Sequence, residues 1–105
     1  MTSYQRVTSY IIHGLLVKWN RLGYSAMSIN TGNCDEFAAD LEQRFPEGRA
    51  VWGDEIPKAF KGRGDHSGHC FFKFKSRYYD SEAPLGVKRP DDLPYYIRAR
   101  KHILG

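Results

Sequence analysis

The sequence predicts an α+β domain in which helices pack against a small antiparallel sheet. Apolar side chains recur at three- and four-residue steps near the N-terminus and again from Cys34 onward, which is typical of amphipathic helices. From His69 onward polar and aromatic side chains alternate and a tyrosine-rich stretch follows, which is typical of an antiparallel hairpin. The 105 residues are enough for one hydrophobic core. We therefore expect a single compact domain over residues 1–105.

The first helix is predicted over residues 3–20. Thr2 or Ser3 can cap its start, and Gly23 can end it. The segment 24–31 shows no clear helical period and is rich in Ser, Asn and Thr. It therefore predicts a loop that leads to the second helix.

The second helix is predicted to begin at Asn33 or Cys34 and to end at Gln43 or Arg44. Acidic residues in its first turn suit the positive end of the helix dipole. Its apolar side chains share one face of the helix, which is formed by Cys34, Phe37, Ala38 and Leu41.

The predicted place of Cys34 at a helix N-terminus is one where a thiol can be activated. Unpaired backbone N–H groups and the positive end of the helix dipole stabilise a thiolate, so they lower the pKa of such a cysteine below ~8.5. The same N–H groups can hold an oxyanion. The helix is equally compatible with Cys34 as a small buried hydrophobe, so both interpretations stay open at this point.

A short strand at residues 49–52 and a polar connection over residues 53–65 precede the predicted hairpin. Side chains in a strand alternate between two faces. One face then holds His69, Phe71, Lys73 and Lys75, and the other holds Cys70, Phe72 and Phe74.

The position of the hairpin turn decides which carboxylate lies near His69. The turn is either Lys75-Ser76 or Ser76-Arg77, and the second keeps His69 and Asp80 on one face but separates them by a further step along the strand. With Lys75 and Ser76 as the turn, Asp80 shares the face of His69 at one diagonal step, about 7–8 Å between backbones, a span that two side chains can bridge. In the same register Glu82 lies directly opposite His69. Both carboxylates are therefore candidate partners for the imidazole.

A thiol, an imidazole and a carboxylate on adjoining elements form a candidate catalytic triad. A cysteine nucleophile needs an imidazole that takes its proton and returns it to the leaving group, and the imidazole needs an acceptor that fixes its tautomer. We therefore predict that Cys34 is the nucleophile, that His69 is the general base and acid, and that Asp80 orients His69.

The stretch Asn-Cys-Asp-Glu-Phe-Ala at residues 33–38, the pair Gly68-His69 ahead of an aromatic hairpin, and Tyr-Tyr-Asp at residues 78–80 occur in this order. Together they resemble the core of the papain-like cysteine peptidase superfamily, in the style of its NlpC/P60-like and transglutaminase-like branches. The resemblance implies a papain-like fold and acyl chemistry on an amide or ester bond through a thioester intermediate. The implied substrate is a peptide, a protein or a peptidoglycan-like amide. No Trp or Gln stands at an oxyanion-hole position before Cys34, which leaves Asn30 or Asn33 for that role.

Other interpretations use some of the same residues. Zinc could take sulfur and nitrogen ligands from Cys34 and from the stretch Asp-His-Ser-Gly-His-Cys at residues 65–70. The adjacent His69 and Cys70 point to opposite faces of a strand, however, and the chain has no C-x-x-C pair, so we predict neither a metal nor another cofactor. His66 is a rival base in the loop before the strand. A Cys34–Cys70 disulfide is the rival to two free thiols.

The C-terminal part is predicted to leave the sheet by a turn over residues 81–87 and to form a last helix over residues 93–102, with Pro94 in its first turn. The basic end of this helix suits a helix C-terminus. Beside Tyr95 and Tyr96, the same cations are also compatible with a nucleic-acid patch. The cationic or titratable side chains are Arg98, Arg100, Lys101 and His102.

The charge and the N-terminus bound the remaining possibilities. The formal charge of +4 permits binding to an anionic polymer without requiring it. No secretory signal is recognisable, and no apolar run approaches the ~20 residues that span a bilayer, so we expect a cytoplasmic protein without a membrane partner. The leading prediction is a cysteine-dependent hydrolase or acyltransferase. The alternatives are a non-catalytic binding or inhibitor protein on the same fold and a nucleic-acid-binding module; the oligomeric state has no signal in the sequence.

Overall fold

The computed structural model describes residues 1–60 and 68–104. Its helices and antiparallel sheet form the α+β fold that the sequence predicts. The helices are α1 (Ser3–Tyr10), α2 (Leu16–Arg21), α3 (Ala26–Gly32), α4 (Cys34–Arg44) and α5 (Pro94–Leu104). The strands are β1 (Arg49–Trp52), β2 (Cys70–Phe74), β3 (Arg77–Asp80) and β4 (Ala83–Val87), which lie in this order across the sheet.

The N-terminal helix is continuous, because a π-helical segment, Ile11–Leu15, joins α1 to α2. Thr2 and Gln5 cap its start reciprocally: each backbone N–H donates to the side-chain oxygen of the other residue. The predicted helix at residues 3–20 is therefore present. Its buried side chains are Val7, Ile11, Leu15 and Trp19.

The loop predicted over residues 24–31 is wrong, because α3 occupies most of it. Ser25 and Ser28 cap α3 in the same reciprocal way. Only Ile29 and Asn30 of this helix are buried, so its apolar stripe is too short to produce a visible helical period. Helix α4 follows directly and has the predicted bounds.

The hairpin forms in the predicted register. Lys75 and Ser76 make the turn between β2 and β3, and Phe74 pairs with Arg77. Lys75 adopts a φ of 54°, a left-handed conformation that such a tight turn favours. Strand β1 pairs with β2 on the other side, as expected for an antiparallel sheet.

The turn predicted over residues 81–87 is wrong in its second half, where β4 pairs with β3. Pro84 and Gly86 suggested a turn because both are rare inside strands. Strand β4 lies at the edge of the sheet, where a proline without an N–H group breaks no ladder. Gly86 has a φ of 78°, and an added Cβ would overlap the ring of Tyr79.

Helices cover both faces of the sheet. On one face α4 packs against β1 and β2, and the core there contains Phe37, Leu41 and Phe72. On the opposite face Tyr96 of α5 packs with Val51 and Phe71. Each large apolar side chain that is fully buried contributes roughly 1.5–3 kcal/mol to stability, so the sheet and the flanking helices stabilise one another.

Within residues 1–60 and 68–104, no helix combines the length and the apolar character that crossing a membrane requires.

Candidate active site

His69 and Asp80 form a buried hydrogen-bonded pair on one face of the sheet. The distance from Nε2 of His69 to Oδ2 of Asp80 is 2.9 Å, and the side chains are 0% and 2% exposed. An ionised carboxylate can only accept, so Nε2 carries the proton and donates it. The other carboxylate oxygen, Oδ1, accepts the backbone N–H of Glu82 at 2.9 Å. Of the two carboxylates left open by the sequence, the geometry favours Asp80 as the partner of His69.

Aromatic rings hold the imidazole of His69 in place. Tyr95 stacks on it with the ring centroids 4.2 Å apart and the planes 15° apart, while Tyr96 meets it edge to face at 5.6 Å. The hydroxyl of Tyr95 donates to the carbonyl oxygen of Gly68 at 3.3 Å. These rings exclude water, which strengthens the bond to Asp80, and they leave the imidazole little freedom to rotate.

Cys34 is the first residue of α4, as predicted. Its sulfur accepts the backbone N–H of Cys70 at 3.5 Å, and its side chain is 8% exposed. The side chain of Asn33 does not cap the helix, so the first N–H groups of α4 remain available to stabilise negative charge at the sulfur. Both cysteines are free thiols, and the rival disulfide is not formed.

The second ring nitrogen of His69, Nδ1, is buried without a hydrogen-bond partner among the described residues. The Cys34 thiol interacts with the imidazole, although it makes no hydrogen bond to Nδ1. One ring nitrogen is thus bonded to a carboxylate, and the other has no hydrogen-bond partner among the described residues.

The pKa values of the thiol and the imidazole shift in opposite directions. Burial opposes the thiolate, but the His69 imidazole and the Cys70 N–H outweigh it and lower the pKa of Cys34. Burial likewise opposes the imidazolium, but Asp80 and the Cys34 sulfur outweigh it and raise the pKa of His69. Both directions favour a thiolate–imidazolium pair.

The thiol of Cys70 differs sharply from that of Cys34 in its pKa. Burial, followed by the negative charge of Cys34, raises the pKa of Cys70 to about 12. A thiol with so high a pKa is almost entirely protonated at neutral pH and is therefore inert. Of the two cysteines, only Cys34 is placed to act as a nucleophile.

Cys34 borders a cleft of about 300 Å³, whose size suits one side chain or a small acyl group rather than a large ligand. Trp52, which is 41% exposed, offers an aromatic surface there. Asp35 alone carries a formal charge among the described residues that line the cleft. The lining residues are Asn30, Thr31, Gly32, Cys34, Asp35, Trp52, Gly68 and Tyr95.

Two larger grooves lie along α1. Their volumes are about 450 and 750 Å³. Neither is lined by a residue of the predicted triad, so volume alone does not identify the candidate site.

The structure adds an ion pair that the sequence analysis missed. Arg98 donates to both carboxylate oxygens of Glu82, with Nη1 2.7 Å from Oε2 and Nη2 2.8 Å from Oε1. Asn30 also donates to Glu82, through Nδ2 at 2.8 Å from Oε1. Arg98 and Asn30 lower the pKa of Glu82 despite partial burial. No spacing in the sequence signals this pair, because its partners lie on separate elements.

The two asparagines considered for the oxyanion hole have other partners. The amide of Asn30 is committed to Glu82, and the amide of Asn33 lies 3.4 Å from Oε1 of Glu36. The backbone N–H groups at the start of α4 are therefore better placed as oxyanion donors.

The structure bears on the metal and nucleic-acid alternatives as well. In the part of the chain that the structure describes, no group of three or more His, Cys, Asp and Glu side chains is arranged to hold a metal ion. Asp65 and His66, which were considered as zinc ligands, and His66 as a rival base, lie outside the described residues. On α5, Arg98 is paired with Glu82, and Arg100 donates to the backbone oxygen of Asp91 at 2.7 Å.

Comparisons were made with protein-family models, with curated proteins and with solved structures. None of the three found a match to this chain.

Proposed function

We propose that this chain is a cysteine-dependent hydrolase or acyltransferase of papain-like type, which acts on an amide or ester bond. One observation above all supports the proposal: the buried imidazole of His69 is bonded through Nε2 to Asp80, and it also interacts with a thiol whose pKa is lowered. The thiol lies at a helix N-terminus and borders a cleft. A merely structural cysteine needs neither a neighbouring imidazole, nor a lowered pKa, nor a place beside a cleft.

In the first half of the reaction, the Cys34 thiolate attacks the carbonyl carbon of the substrate, and a C–S bond forms. The carbonyl oxygen becomes an oxyanion, which the N–H groups at the start of α4 stabilise by about 3 kcal/mol for each well-placed donor. The His69 imidazolium then gives its Nδ1 proton to the leaving amine or alcohol. The carbon–heteroatom bond breaks, and a thioester on Cys34 remains.

In the second half, neutral His69 takes a proton from water or from an acceptor amine through Nδ1. The activated nucleophile attacks the thioester carbon, a second oxyanion forms and collapses, and the C–S bond breaks. Water yields a carboxylic acid and an amine yields a new amide, while the Cys34 thiolate and the His69 imidazolium are restored. Asp80 keeps the imidazole in one orientation throughout.

The lining of the cleft bears on the substrate class. Two of the lining residues, Gly32 and Gly68, have no side chain and leave room for a substrate backbone, and Trp52 offers a flat apolar surface. The carboxylate of Asp35 disfavours an anionic group next to the scissile bond. A neutral or cationic segment of a peptide, a protein or a peptidoglycan-like amide fits these properties.

The test is to trap the acyl-enzyme. Purified protein is incubated with p-nitrophenyl acetate and with a mixed peptide library bearing fluorogenic amides, and intact-mass and peptide mass spectrometry then locate added acyl groups. We expect acetylation at Cys34 together with release of nitrophenol. Cys34→Ala should abolish both signals, and the matched Cys70→Ala variant should retain them. Acetylation that is equally slow in both variants would rule out the proposed nucleophile.

A non-catalytic binding protein on the same fold is the second candidate. The limited exposure of Cys34, 8%, favours it, because a substrate carbonyl needs access to the sulfur. In that case a partner that binds the cleft should bind equally well to Cys34→Ala, and the acyl-enzyme experiment should give no adduct.

A further inference from the structure

Glu82 has a position from which it could compete with Asp80 for His69. Asp80 ends β3 and pairs with Ala83 of β4, so Glu82 lies in the turn between these strands rather than in the ladder. From this turn Glu82 is still close enough to His69 for the imidazole to influence the pKa of its carboxylate. The buried imidazole is nevertheless bonded to Asp80 alone among the described residues.

Glu82 is held by groups from two other elements. Arg98 of α5 contacts both of its carboxylate oxygens, and Asn30 of α3 contacts one of them. The Glu82 side chain is 14% exposed, so its charge is largely removed from water. Planar bidentate pairing with Arg defines the direction of a carboxylate more strictly than a single bond would.

The backbone of Glu82 transmits this constraint to the triad. Its N–H donates to Oδ1 of Asp80 at 2.9 Å, while Oδ2 of Asp80 accepts from His69. The hydrogen bonds from Arg98 and Asn30 to the Glu82 side chain therefore also fix the position of the Glu82 backbone N–H, which orients Asp80. A continuous series of hydrogen bonds connects Arg98 to Glu82, Asp80 and His69.

We propose that Arg98 is a positioning residue, which holds the Glu82 carboxylate away from His69 and thereby makes Asp80 the partner of the imidazole. This inference rests on the proposed function, since it assigns the group that sets the geometry of that site. Arg98 touches neither the thiol nor the imidazole in the described structure; it acts through Glu82. Asn30 supports the same arrangement from the other side.

The charges around His69 predict how the pH dependence of Cys34 alkylation should change when Arg98 or Glu82 is replaced. The titratable groups that influence or contact the ring are Cys34 of α4, Asp80 of β3, Glu82 of the following turn, and Tyr95 and Tyr96 of α5. Arg98 of α5 acts on Glu82 and Asp80. The charges of Glu82 and Arg98 now offset each other. Removing one of them leaves a net charge beside the thiolate–imidazolium pair, and its sign depends on which was removed.

The experiment measures the rate of Cys34 alkylation by iodoacetamide as a function of pH in Arg98→Met, Glu82→Gln and the double variant. In Arg98→Met the uncompensated Glu82 carboxylate favours protonation, so the profile should move to higher pH, by about half a unit. In Glu82→Gln the uncompensated guanidinium should move it to lower pH by a similar amount. The double variant should return to the parent profile.

Turnover separates positioning from a purely structural role. With p-nitrophenyl acetate as the acyl substrate, Arg98→Met should lower kcat roughly tenfold or more and leave KM nearly unchanged, because misplacement of the base affects the reaction rather than binding. Arg98→Lys keeps the charge and should recover part of the loss. The matched control is Arg100→Met, which removes another arginine of α5 that bonds to the backbone of Asp91. It should leave kcat and the pH profile unchanged.

Several results would overturn the inference. Shifts of the same sign in Arg98→Met and Glu82→Gln, or no shift in either folded variant, would mean that the pair only stabilises the fold. Should Arg98→Met unfold, Glu82→Gln still tests the shift to lower pH, and Arg98→Lys, which keeps the charge, tests the loss of kcat. The alkylation profile does not require turnover, so opposite shifts without any activity would support the positioning role while the proposed function fails.

Discussion

Iodoacetamide should alkylate Cys34 much faster than Cys70 at neutral pH, although both thiols belong to one small buried cluster. The reactive species is the thiolate, so the difference follows from the two pKa values. The pKa of Cys70 is raised to about 12, whereas that of Cys34 is below the ordinary 9.0.

The size of the difference can be worked from these values. At pH 7 roughly one Cys70 in 10⁵ is ionised, whereas at least about one Cys34 in 10² is ionised, which is a factor of ~10³. A less basic thiolate is intrinsically less nucleophilic, and with a Brønsted coefficient of about 0.4–0.5 this factor shrinks to about 30–60-fold. Because the pKa of Cys34 lies below the value used, this ratio is a lower bound. The smaller exposure of Cys70, 2% against 8%, acts in the same direction.

The assay is a time course of alkylation at limiting reagent, with each cysteine quantified in tryptic peptides by mass spectrometry. In urea that unfolds the chain, the two rates should converge, because burial and the imidazole contact are lost. His69→Ala should slow only the reaction of Cys34. Equal, slow rates at both thiols in the folded protein would contradict the activated pair. So would a His69→Ala variant that reacts as fast as the parent.

Three further outcomes are expected. The rate of acylation should follow a bell-shaped pH profile, rising through the lowered pKa of Cys34 as the thiolate forms and falling through the raised pKa of His69 as the imidazolium is lost; the two limbs belong to the coupled pair, and a single monotonic limb from pH 4 to 10 would contradict it. Trp52→Ala should raise KM several-fold for apolar substrates and leave kcat nearly constant, because Trp52 lines the cleft but is no member of the proposed triad; steady-state kinetics measure both constants. Gly48→Ala should destabilise the fold by about 1–3 kcal/mol, because the added Cβ would overlap the ring of Phe72; a urea midpoint equal to that of the parent would show that the ring can move aside.

Local sequence patterns were sufficient to predict the features that depend on a single helix or turn. The apolar face of α4 and its acidic first turn predicted its start at Cys34, and the turn at Lys75 and Ser76 was enough to set the hairpin register. Both turns that the sequence allows keep Asp80 on the face of His69, and the observed register is the one that brings the two residues closer. These features depend on neighbours within a few residues, so periodicity and turn chemistry reveal them.

Features that depend on tertiary placement were beyond such patterns. A helix face that buries Cys34 looks the same whether the thiol is inert or activated, because the imidazole contact requires a particular placement of α4 on the sheet. Arg98 appeared only as a cation that suits a helix C-terminus. Its partner, Glu82, lies on a different element. Nothing in the sequence indicates that these two side chains form an ion pair.

The candidate site draws its parts from almost the whole length of the chain. Asn30, Cys34, Asp80 and Arg98 belong to four different elements, and the loops that separate them must close before any of them meet. The helix that contributes Tyr95 and Arg98 is the last of these elements to be synthesised. A growing or partly unfolded chain therefore has two ordinary thiols, and under the proposed function Cys34 becomes reactive only when folding is complete. The proposal thus makes the rate of Cys34 alkylation a measure of how much of the population has reached the native state.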